Sequence, residues 1–308
     1  MPLNPSKPKL SVVVIFYDMQ REAERTLYSL TTAYQAEVGL EDYEVIVLDS
    51  NSTAPLDKAW VEGLQENFSY YYIESEAPTP CRALNVGVSL AQADQVACLI
   101  DGARILSPGV LNYMIGAQAA FDEPFVYTIG MHLGARRQSE AVSEGYNQQV
   151  EDELLAGVPW HSDGYTLFSV SCLAGSSEEG FLYPIYESNC FAISKALLLE
   201  IGGFDERFVT KGGGLVNLDV FRKLMQHPIT TPVILIGEAT FHQFHGGVST
   251  NVPVAQSPWR TYDDEYEQLR GTRFELIGYP KQPVFFGQLT LASRRFFLSE
   301  REVEGDPV

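Results

Sequence analysis

The sequence predicts an α/β protein built on a mostly parallel sheet flanked by helices. Three observations support this fold class: apolar runs typical of buried strands, helical patterns between them, and polar residues directly after several strands. The clearest run is Glu44 to Thr53, EVIVLDSNST, which is typical of a buried parallel strand that stops at Asp49. Ligands of open α/β sheets bind just beyond the carboxyl ends of such strands. Asp49 is therefore expected in a ligand crevice, although an aspartate here also suits a turn.

Strand and helix patterns alternate along the first 130 residues. The predicted strands are Leu10 to Tyr17, Glu44 to Asp49, Tyr70 to Glu74, Gln95 to Asp101 and Phe125 to Gly130. The predicted helices begin after Asp18, at Pro55, at Pro80 and at Pro108. Asp18 can cap the first of them, and proline suits the first position of a helix. This alternation predicts helices on both faces of a parallel sheet.

The alternation stops after Gly130. Residues 131–180 form a polar insertion, with one helix predicted near residues 147–156, and such insertions are usually functional or mobile. Further elements are predicted at residues 181–194, 194–201, 215–227 and 231–236. Residues 251–308 form a C-terminal extension, in which residues 285–299 predict a helix. This helix is expected to dock on the domain's own surface, with a partner subunit or a membrane surface as the alternatives.

The composition argues against several classes of partner. The chain of 308 residues has 40 acidic and 21 basic residues, for a formal net charge of −19. Binding to nucleic acid or to an anionic membrane is therefore disfavoured, although acidity also serves solubility alone. The four cysteines include no C-x-x-C pair, and the sequence has neither a secretory signal nor a run near the roughly 20 apolar residues that span a bilayer. We therefore expect a cytoplasmic protein without a transmembrane segment.

Five motifs in order resemble the family 2 glycosyltransferases of the GT-A fold, over Ser11 to Gly247. They are SVVVIFYD at Ser11, VIVLDSNST at Val45, CRALNVG at Cys81, ACLIDGAR at Ala97 and GGFDERF at Gly202. The resemblance implies a GT-A type, Rossmann-like domain over residues 1–250, with the acceptor region in residues 131–180. It also implies transfer of a sugar, such as a hexose in polysaccharide biosynthesis, from a nucleotide-diphosphate donor to a glycan or other hydroxyl acceptor.

The resemblance also implies the roles of the donor-binding residues. Asp49, with Ser50 beside it, would contact the nucleoside, and Asp101 occupies the first position of the family's metal-binding D-x-D. The second aspartate is absent, because the chain reads Asp101-Gly102-Ala103. Arg104, two residues on, and Arg82 at a helix start are expected near the diphosphate.

The metal site is expected to be completed by a histidine from FHQFHGG. His245 is the preferred ligand because two glycines follow it, and His242 is the reserve. Imidazole suits Mn²⁺ better than Mg²⁺, although either histidine can equally be a structural residue. A divalent metal, Mn²⁺ or Mg²⁺, is therefore the predicted cofactor.

The expected general base is altered. The family carries a Glu-Asp pair where this chain has Val216-Asn217, and a neutral amide cannot accept the proton of the acceptor hydroxyl. Asp219 is the first alternative and Glu187 the second, although helix capping or salt bridging also accounts for either. Further candidates are Asp205, Glu151 and Asp152.

The acceptor is expected to meet the start of the insertion and several aromatic side chains. These residues are His132, Arg136, Arg137, Gln138, Tyr165, Phe168, Tyr183 and Tyr186. Two other functions stay open at this stage. Loss of a metal aspartate and of the usual base also fits a non-catalytic GT-A-like module that binds a sugar or a partner. A nucleotidyltransferase ranks well below, because its Gly-rich amino-terminal loop is absent.

Overall fold

A computed structural model of the protein describes residues 7–276 and 281–297. Within these ranges the chain forms one sheet of ten strands with helices on both faces. The strands are β1 (Leu10–Phe16), β2 (Tyr43–Ser50), β3 (Phe68–Ile73), β4 (Gln95–Leu99), β5 (Arg104–Leu106), β6 (Pro124–Leu133), β7 (Ser171–Leu173), β8 (Cys190–Ser194), β9 (Thr231–His242) and β10 (Val284–Gly287). The helices are α1 (Gln20–Tyr28), α2 (Lys58–Leu64), α3 (Cys81–Leu90), α4 (Val110–Ala120), α5 (Gln138–Ala141), α6 (Gln148–Ala156), α7 (Lys195–Glu200), α8 (Val216–Gln226) and α9 (Trp259–Arg270).

The main path of the sheet runs β10-β9-β6-β8-β4-β1-β2-β3. Its pairs are parallel except those that β8 makes with β4 and β6, and β5 and β7 add short antiparallel pairs at the side. Every residue of β1 is buried, and two apolar clusters fill the two faces of the sheet. A β-branched run such as VVVI in β1 fits this position because its side chains pack on both faces.

The strand register brings the chemically interesting residues to one edge. Phe16 at the end of β1 pairs with Asp49 of β2, and Val14 pairs with Leu99 at the end of β4. The residues that follow these three strands therefore meet at the carboxyl edge of the sheet, where open α/β folds bind ligands.

The long strand β9 reaches the same edge from the other half. Its last residue, His242, pairs with Arg104 of β5 on one side and with His132 of β6 on the other. The predicted strand at 231–236 is thus too short, and His242 lies at the end of a strand rather than in the loop. The three residues Arg104, His132 and His242 are neighbours because of this register.

Two local predictions are wrong. Asp18 does not cap α1: its φ is +50°, and its carboxylate accepts hydrogen bonds from the backbone N–H groups of Thr53 and Ala54. The helix predicted at residues 285–299 is instead strand β10 followed by a 3₁₀ turn at Arg294–Phe296, and residues 298 and 299 lie outside the described ranges. The run mixes apolar residues with Gln, Thr, Ser and Arg residues in no strict period, so its pattern does not distinguish helix from strand.

The C-terminal extension contributes to the sheet, since β10 pairs in parallel with β9. Phe286 packs edge-on against Tyr113 and Phe121 of the α4 region. The division of the chain at residue 250 stays a prediction. No helix within residues 7–276 and 281–297 is long and apolar enough to cross a membrane.

Candidate functional site

A cleft of about 490 Å³ opens at the carboxyl edge of the sheet. Its walls come from the ends of β1 and β2, the loop before α3, the loop after β4, residues 187–189, the glycine-rich loop before α8 and the loop after β9. Seven segments distant in sequence therefore converge there, and the cleft carries acidic, basic, amide and imidazole groups.

The loop after β4 forms the floor of the cleft. A Cβ at Gly102 would lie 2.3 Å from the carbonyl oxygen of Ile15, so a larger residue does not fit without a shift of backbone. Ala103 is fully buried, and its N–H donates to Asp101 Oδ1 at 3.0 Å. Asp101 is thereby turned toward the cleft, whereas the position of a second aspartate is occupied by a packed methyl group.

Asp101 meets two histidines in this floor. His242 Nε2 lies 3.1 Å from Asp101 Oδ2, His245 Nε2 lies 3.8 Å from Asp101 Oδ1, and the two Nε2 atoms are 3.2 Å apart. The three ligand atoms lie within 4.8 Å of one another. A carboxylate oxygen and two imidazole nitrogens in this arrangement are a donor set for a divalent transition metal.

Burial and charge set the protonation of this cluster. Burial raises the pKa of the Asp101 carboxyl, but His245, His242 and Arg104 outweigh it, so the pKa lies well below the usual value. Burial lowers the pKa of His242 to about 4, against the opposing effect of Asp101. Near neutral pH the cluster therefore presents an ionised carboxylate and a neutral imidazole, which is the state that metal ligands require.

Arg104 adds a buried positive charge beside the cluster. The residue is 4% exposed, and its Nε lies 3.4 Å from Asp101 Oδ2. Its Nε and one Nη have no hydrogen-bond partner within the described ranges. Buried guanidinium nitrogens without hydrogen-bond partners are costly, and Arg104 is among the residues that line the cleft.

A carboxylate and an amide face each other on the opposite side of the cleft. Asn217, in the first turn of α8, donates from Nδ2 to Glu187 Oε2 at 2.8 Å and lies 3.4 Å from Asn189 Oδ1. Burial raises the pKa of Glu187, while Arg104 and hydrogen bonds from Ser176 and Asn217 act against this rise. A carboxylate with a raised pKa is a better proton acceptor than an ordinary one.

Comparison with known proteins identifies the family. A sequence model described as glycosyl transferase family 2 matches residues 11–173, more than half of the chain. The chain belongs to glycosyl transferase family 2. No curated protein sequence matches it.

Solved structures of similar fold include proteins from two organisms. Staphylococcus aureus TarS has 17% sequence identity and a TM-score of 0.50, over 76% of this chain and 36% of TarS. TarS 1-349 in complex with UDP-GlcNAc has 14% identity and a TM-score of 0.47, over 78% and 60% of the two chains. The mannosyltransferase PcManGT of Pyrobaculum calidifontis, in complex with GDP-Man and Mn²⁺, has 16% identity and a TM-score of 0.44, over 86% and 63%. The family 2 chain thus spans less than two thirds of each, and its predicted GT-A type α/β fold is confirmed by TarS.

Most of the sequence-predicted site residues of this family 2 chain come together. The cleft is lined by Ser50, Asp101, Arg104, Glu187, Asn217 and His245, and His242 lies fully buried directly beneath them. Arg82 is exposed and does not line the cleft.

Asp49 requires a correction. It is fully buried and does not line the cleft, because neighbouring residues of a strand point to opposite sides and Ser50 takes the position that faces the cleft. Asp49 Oδ2 accepts hydrogen bonds from the backbone N–H of Leu56 at 2.8 Å and from the Tyr70 hydroxyl at 3.3 Å. Its geometry is that of a structural anchor for the turn after β2.

Asp219 also requires a correction. It is 2% exposed and receives two hydrogen bonds from Arg270, at 2.8 and 2.6 Å, and an ion pair from Lys223. Two residues along a helix turn the side chain by about 200°, so Asp219 faces α9 while Asn217 faces the cleft. Asp205 pairs with Arg270 in the same cluster.

The residues predicted to contact the acceptor take other positions in the structure. Phe168 is fully buried in the core, and the Tyr165 hydroxyl donates to Glu238 at 2.7 Å. Over the described part of the chain, none of the four predicted aromatic residues and none of residues 136–138 lines the cleft. The apolar pattern around Phe168 already favoured core packing.

Sequence reasoning missed several residues of the site. Asp18 and Asn51 line the cleft beside the ends of β1 and β2, with positive φ angles of +50° and +57°. Asn251, which holds the loop after β9, was not predicted either. The signal for Asp18 was available, because it follows an apolar strand as directly as Asp101 does.

Proposed function

We propose that this chain transfers a sugar, such as a hexose, from a nucleotide-diphosphate donor to a hydroxyl of a glycan-type acceptor, with a divalent cation as cofactor. Membership of glycosyl transferase family 2 supports the reaction class. The observation that carries the rest is the convergence of Asp101, His242 and His245 beside the buried charge of Arg104.

The residues of the floor fit a divalent cation. His242 Nε2 lies 3.1 Å from Asp101 Oδ2, and the ligand atoms of Asp101, His242 and His245 all lie within 4.8 Å of one another, so one ion can contact all three. Asp101, His242 and His245 would hold the ion, and two imidazoles favour Mn²⁺ over Mg²⁺. When bound, such an ion neutralises charge that develops on the diphosphate leaving group.

The donor side is assigned to the ends of β1 and β2. Ser50 and Asn51 offer a hydroxyl and a backbone turn to the nucleoside, and Asp18 holds that turn through the N–H of Thr53 at 2.7 Å. Arg104 is assigned to the diphosphate, since its Nε and one Nη lack partners within the described residues. A guanidinium stays charged at any physiological pH and suits phosphate oxygens.

Glu187 is assigned as the general base. It lines the cleft next to Asn217, its pKa is raised by burial, and Asn217 donates to its Oε2 at 2.8 Å. Glu187 would take the proton of the acceptor hydroxyl as that oxygen attacks the sugar carbon. Asn217 would orient the carboxylate rather than accept the proton.

Three broader expectations remain proposals. The polar insertion of residues 131–180 would shape the acceptor region, and the C-terminal extension would mediate any association with a partner subunit. A cytoplasmic location is the third of these proposals.

The test is a donor screen followed by mass spectrometry. Purified protein is incubated with Mn²⁺ and sugar donors based on UDP, GDP and CDP, and slow donor hydrolysis is measured together with transfer to sugar acceptors. We expect one nucleotide class to be turned over, with loss of turnover in Asp101→Ala and retention in Asp94→Ala. Asp94 is a matched control because it is exposed at the opposite end of β4.

The outcome also decides between the enzyme and the alternative. Binding of a nucleotide sugar without hydrolysis or transfer would support the non-catalytic module, which the replacement of the family's base pair by Val216-Asn217 motivates. Turnover that persists in Asp101→Ala would contradict the proposed site.

A further inference from the structure

Gln138 contacts Nδ1 of His242, whereas Asp101 and His245 lie near Nε2 of the same ring. It begins α5 in the polar insertion, is fully buried, and is absent from the lining of the cleft. Its Nε2 donates to the backbone carbonyl oxygen of His242 at 2.9 Å and lies 3.3 Å from Glu151 Oε2. Both partners are oxygens that accept hydrogen bonds, so the orientation of the Gln138 amide is fixed.

The orientation of this amide determines where the proton of His242 lies. Gln138 Oε1 is 2.7 Å from His242 Nδ1 and accepts a second hydrogen bond from Asn251 Nδ2 at 2.8 Å. An amide oxygen only accepts, so Nδ1 must carry the hydrogen. His242 Nε2 is then a bare lone pair, and it faces Asp101 and His245 at 3.1 and 3.2 Å.

Asn251 extends the same arrangement to the second histidine. Its Oδ1 accepts three backbone hydrogen bonds, from His245 at 3.1 Å, Gly246 at 2.9 Å and Gly247 at 2.8 Å. These bonds hold the loop that carries His245, and they leave the Nδ2 of Asn251 to face Gln138. One continuous set of hydrogen bonds therefore supports both imidazoles.

We propose that Gln138 and Asn251 are positioning residues that keep His242 as the Nδ1–H tautomer and hold the His245 ring beside it, so that a divalent cation finds the Nε2 lone pair of His242 already aimed at Asp101. This inference rests on the proposed function in one respect: it takes Asp101, His242 and His245 as the ligands of a divalent cation. It gives the polar insertion a second role, because Gln138 belongs to that insertion and supports a ligand from the far end of the sheet.

The geometry is that of a metal site whose outer hydrogen bonds fix the ligands. A metal-bound histidine commonly donates its other ring N–H to an oxygen acceptor, and loss of that acceptor weakens metal binding by about 10–100-fold. Here the acceptor is a neutral amide held by a backbone carbonyl and by Asn251. Replacement of Gln138 by methionine keeps the length of the side chain but removes both the acceptor and the anchor.

The first experiment compares Mn²⁺ affinity in Gln138→Met and Gln35→Met by calorimetry, with the metal alone and with UDP or GDP present. Gln35 is a matched control: it is 3% exposed, its amide bonds to the carbonyl oxygens of Ser29 and Ser107, and it does not line the cleft. We expect the dissociation constant of Mn²⁺ to rise about 10–100-fold in Gln138→Met and to stay at the wild-type value in Gln35→Met. Unchanged affinity in a folded Gln138→Met protein overturns the proposal, as does a wild type that binds no Mn²⁺ under any of these conditions.

The second experiment does not use a Gln138 variant. Nitrogen-15 spectra of histidine-labelled wild-type protein without metal report which ring nitrogen carries the hydrogen, with His242 assigned by its missing signal in His242→Gln. We expect the neutral ring to carry its hydrogen on Nδ1. A neutral ring with its hydrogen on Nε2 overturns the proposal.

Neither readout requires a sugar donor, so the two proposals fail separately. If Mn²⁺ binds in a Gln138-dependent manner and no donor is turned over, the positioning role stands and the proposed transfer reaction fails. If transfer depends on Asp101 while Gln138→Met binds Mn²⁺ like the wild type, the reaction stands and the positioning role fails.

Discussion

Asn217 donates a hydrogen bond of 2.8 Å from its Nδ2 to Oε2 of Glu187, across the acceptor side of the cleft. Asn217 occupies the place of the carboxylate that family 2 enzymes use as a base, and an amide cannot take up a proton there. Glu187 approaches the same place from the loop before β8. Under the proposed assignment, the general base therefore comes from a different part of the chain.

Glu187→Gln tests the assigned base. We expect kcat to fall by about 10²–10⁴-fold, because a general base contributes about that much, while nucleotide affinity stays unchanged. In the wild type, activity should decline as the pH drops through a pKa above the ordinary value of 4.5, since the base must be ionised and burial raises the pKa of Glu187. A kcat within a few-fold of wild type would remove Glu187 from this role.

Asn217→Asp restores a carboxylate at the family's position. Two carboxylates within hydrogen-bond distance cannot both ionise easily, so one of the two pKa values rises. We therefore expect the acid limb of the pH–rate profile to move to higher pH, with lower activity near neutral pH. Asn217→Ala serves as the control, because it removes the hydrogen bond without adding charge. An unshifted acid limb in Asn217→Asp contradicts the contact with the base.

Arg104→Met tests the site of the diphosphate. Hydrogen bonds to charged groups contribute about 1.5–3 kcal/mol, so we expect the affinity for the preferred nucleoside diphosphate to weaken by about 10–100-fold. Affinity for the parent nucleoside should not change, since it lacks the phosphates. Both are measured by calorimetry, with the exposed Arg136→Met as control. Equal weakening of nucleoside and diphosphate would show a general distortion instead.

Asp219→Ala separates structure from catalysis. Its carboxylate is 3% exposed and is paired with Arg270 and Lys223, and removal of one partner from a buried pair costs about 3–5 kcal/mol. We expect a drop of that order in the free energy of unfolding, measured by denaturant titration, with kcat retained at a temperature where the variant is folded. A variant as stable as wild type with kcat reduced a hundredfold would return Asp219 to the active site.

The central strands could be predicted from the sequence because their runs are unambiguous. The apolar stretches of β1, β2 and β4 have few polar residues and end at Asp18, Asp49 and Asp101. The order of elements therefore predicted which loops meet at the carboxyl edge. The order of elements did not predict the side of β2 on which the Asp49 side chain lies, because a shift of one residue along a strand moves a side chain to the opposite face of the sheet.

The hydrogen bonds that support His242 and His245 could not be predicted from local sequence patterns. Gln138 and His242 are 104 residues apart in sequence, and Gln138 and Asn251 are 113 apart. Their contact depends on the register between β6 and β9 and on the return of the insertion beneath β9. The base was mispredicted for a related reason, since Asp219 is closest to Asn217 along the chain but lies on another side of α8.

The most direct test of the account is calorimetric titration of UDP, GDP and CDP into the protein with and without Mn²⁺, repeated with Asp101→Ala, His242→Ala and the control Asp94→Ala. We predict that one nucleotide binds in a Mn²⁺-dependent manner to the wild type and to Asp94→Ala, and that both floor variants lose this dependence. Nucleotide binding that is identical with and without Mn²⁺, or that survives unchanged in folded Asp101→Ala and His242→Ala, would contradict the assignment of these residues to a metal–diphosphate site.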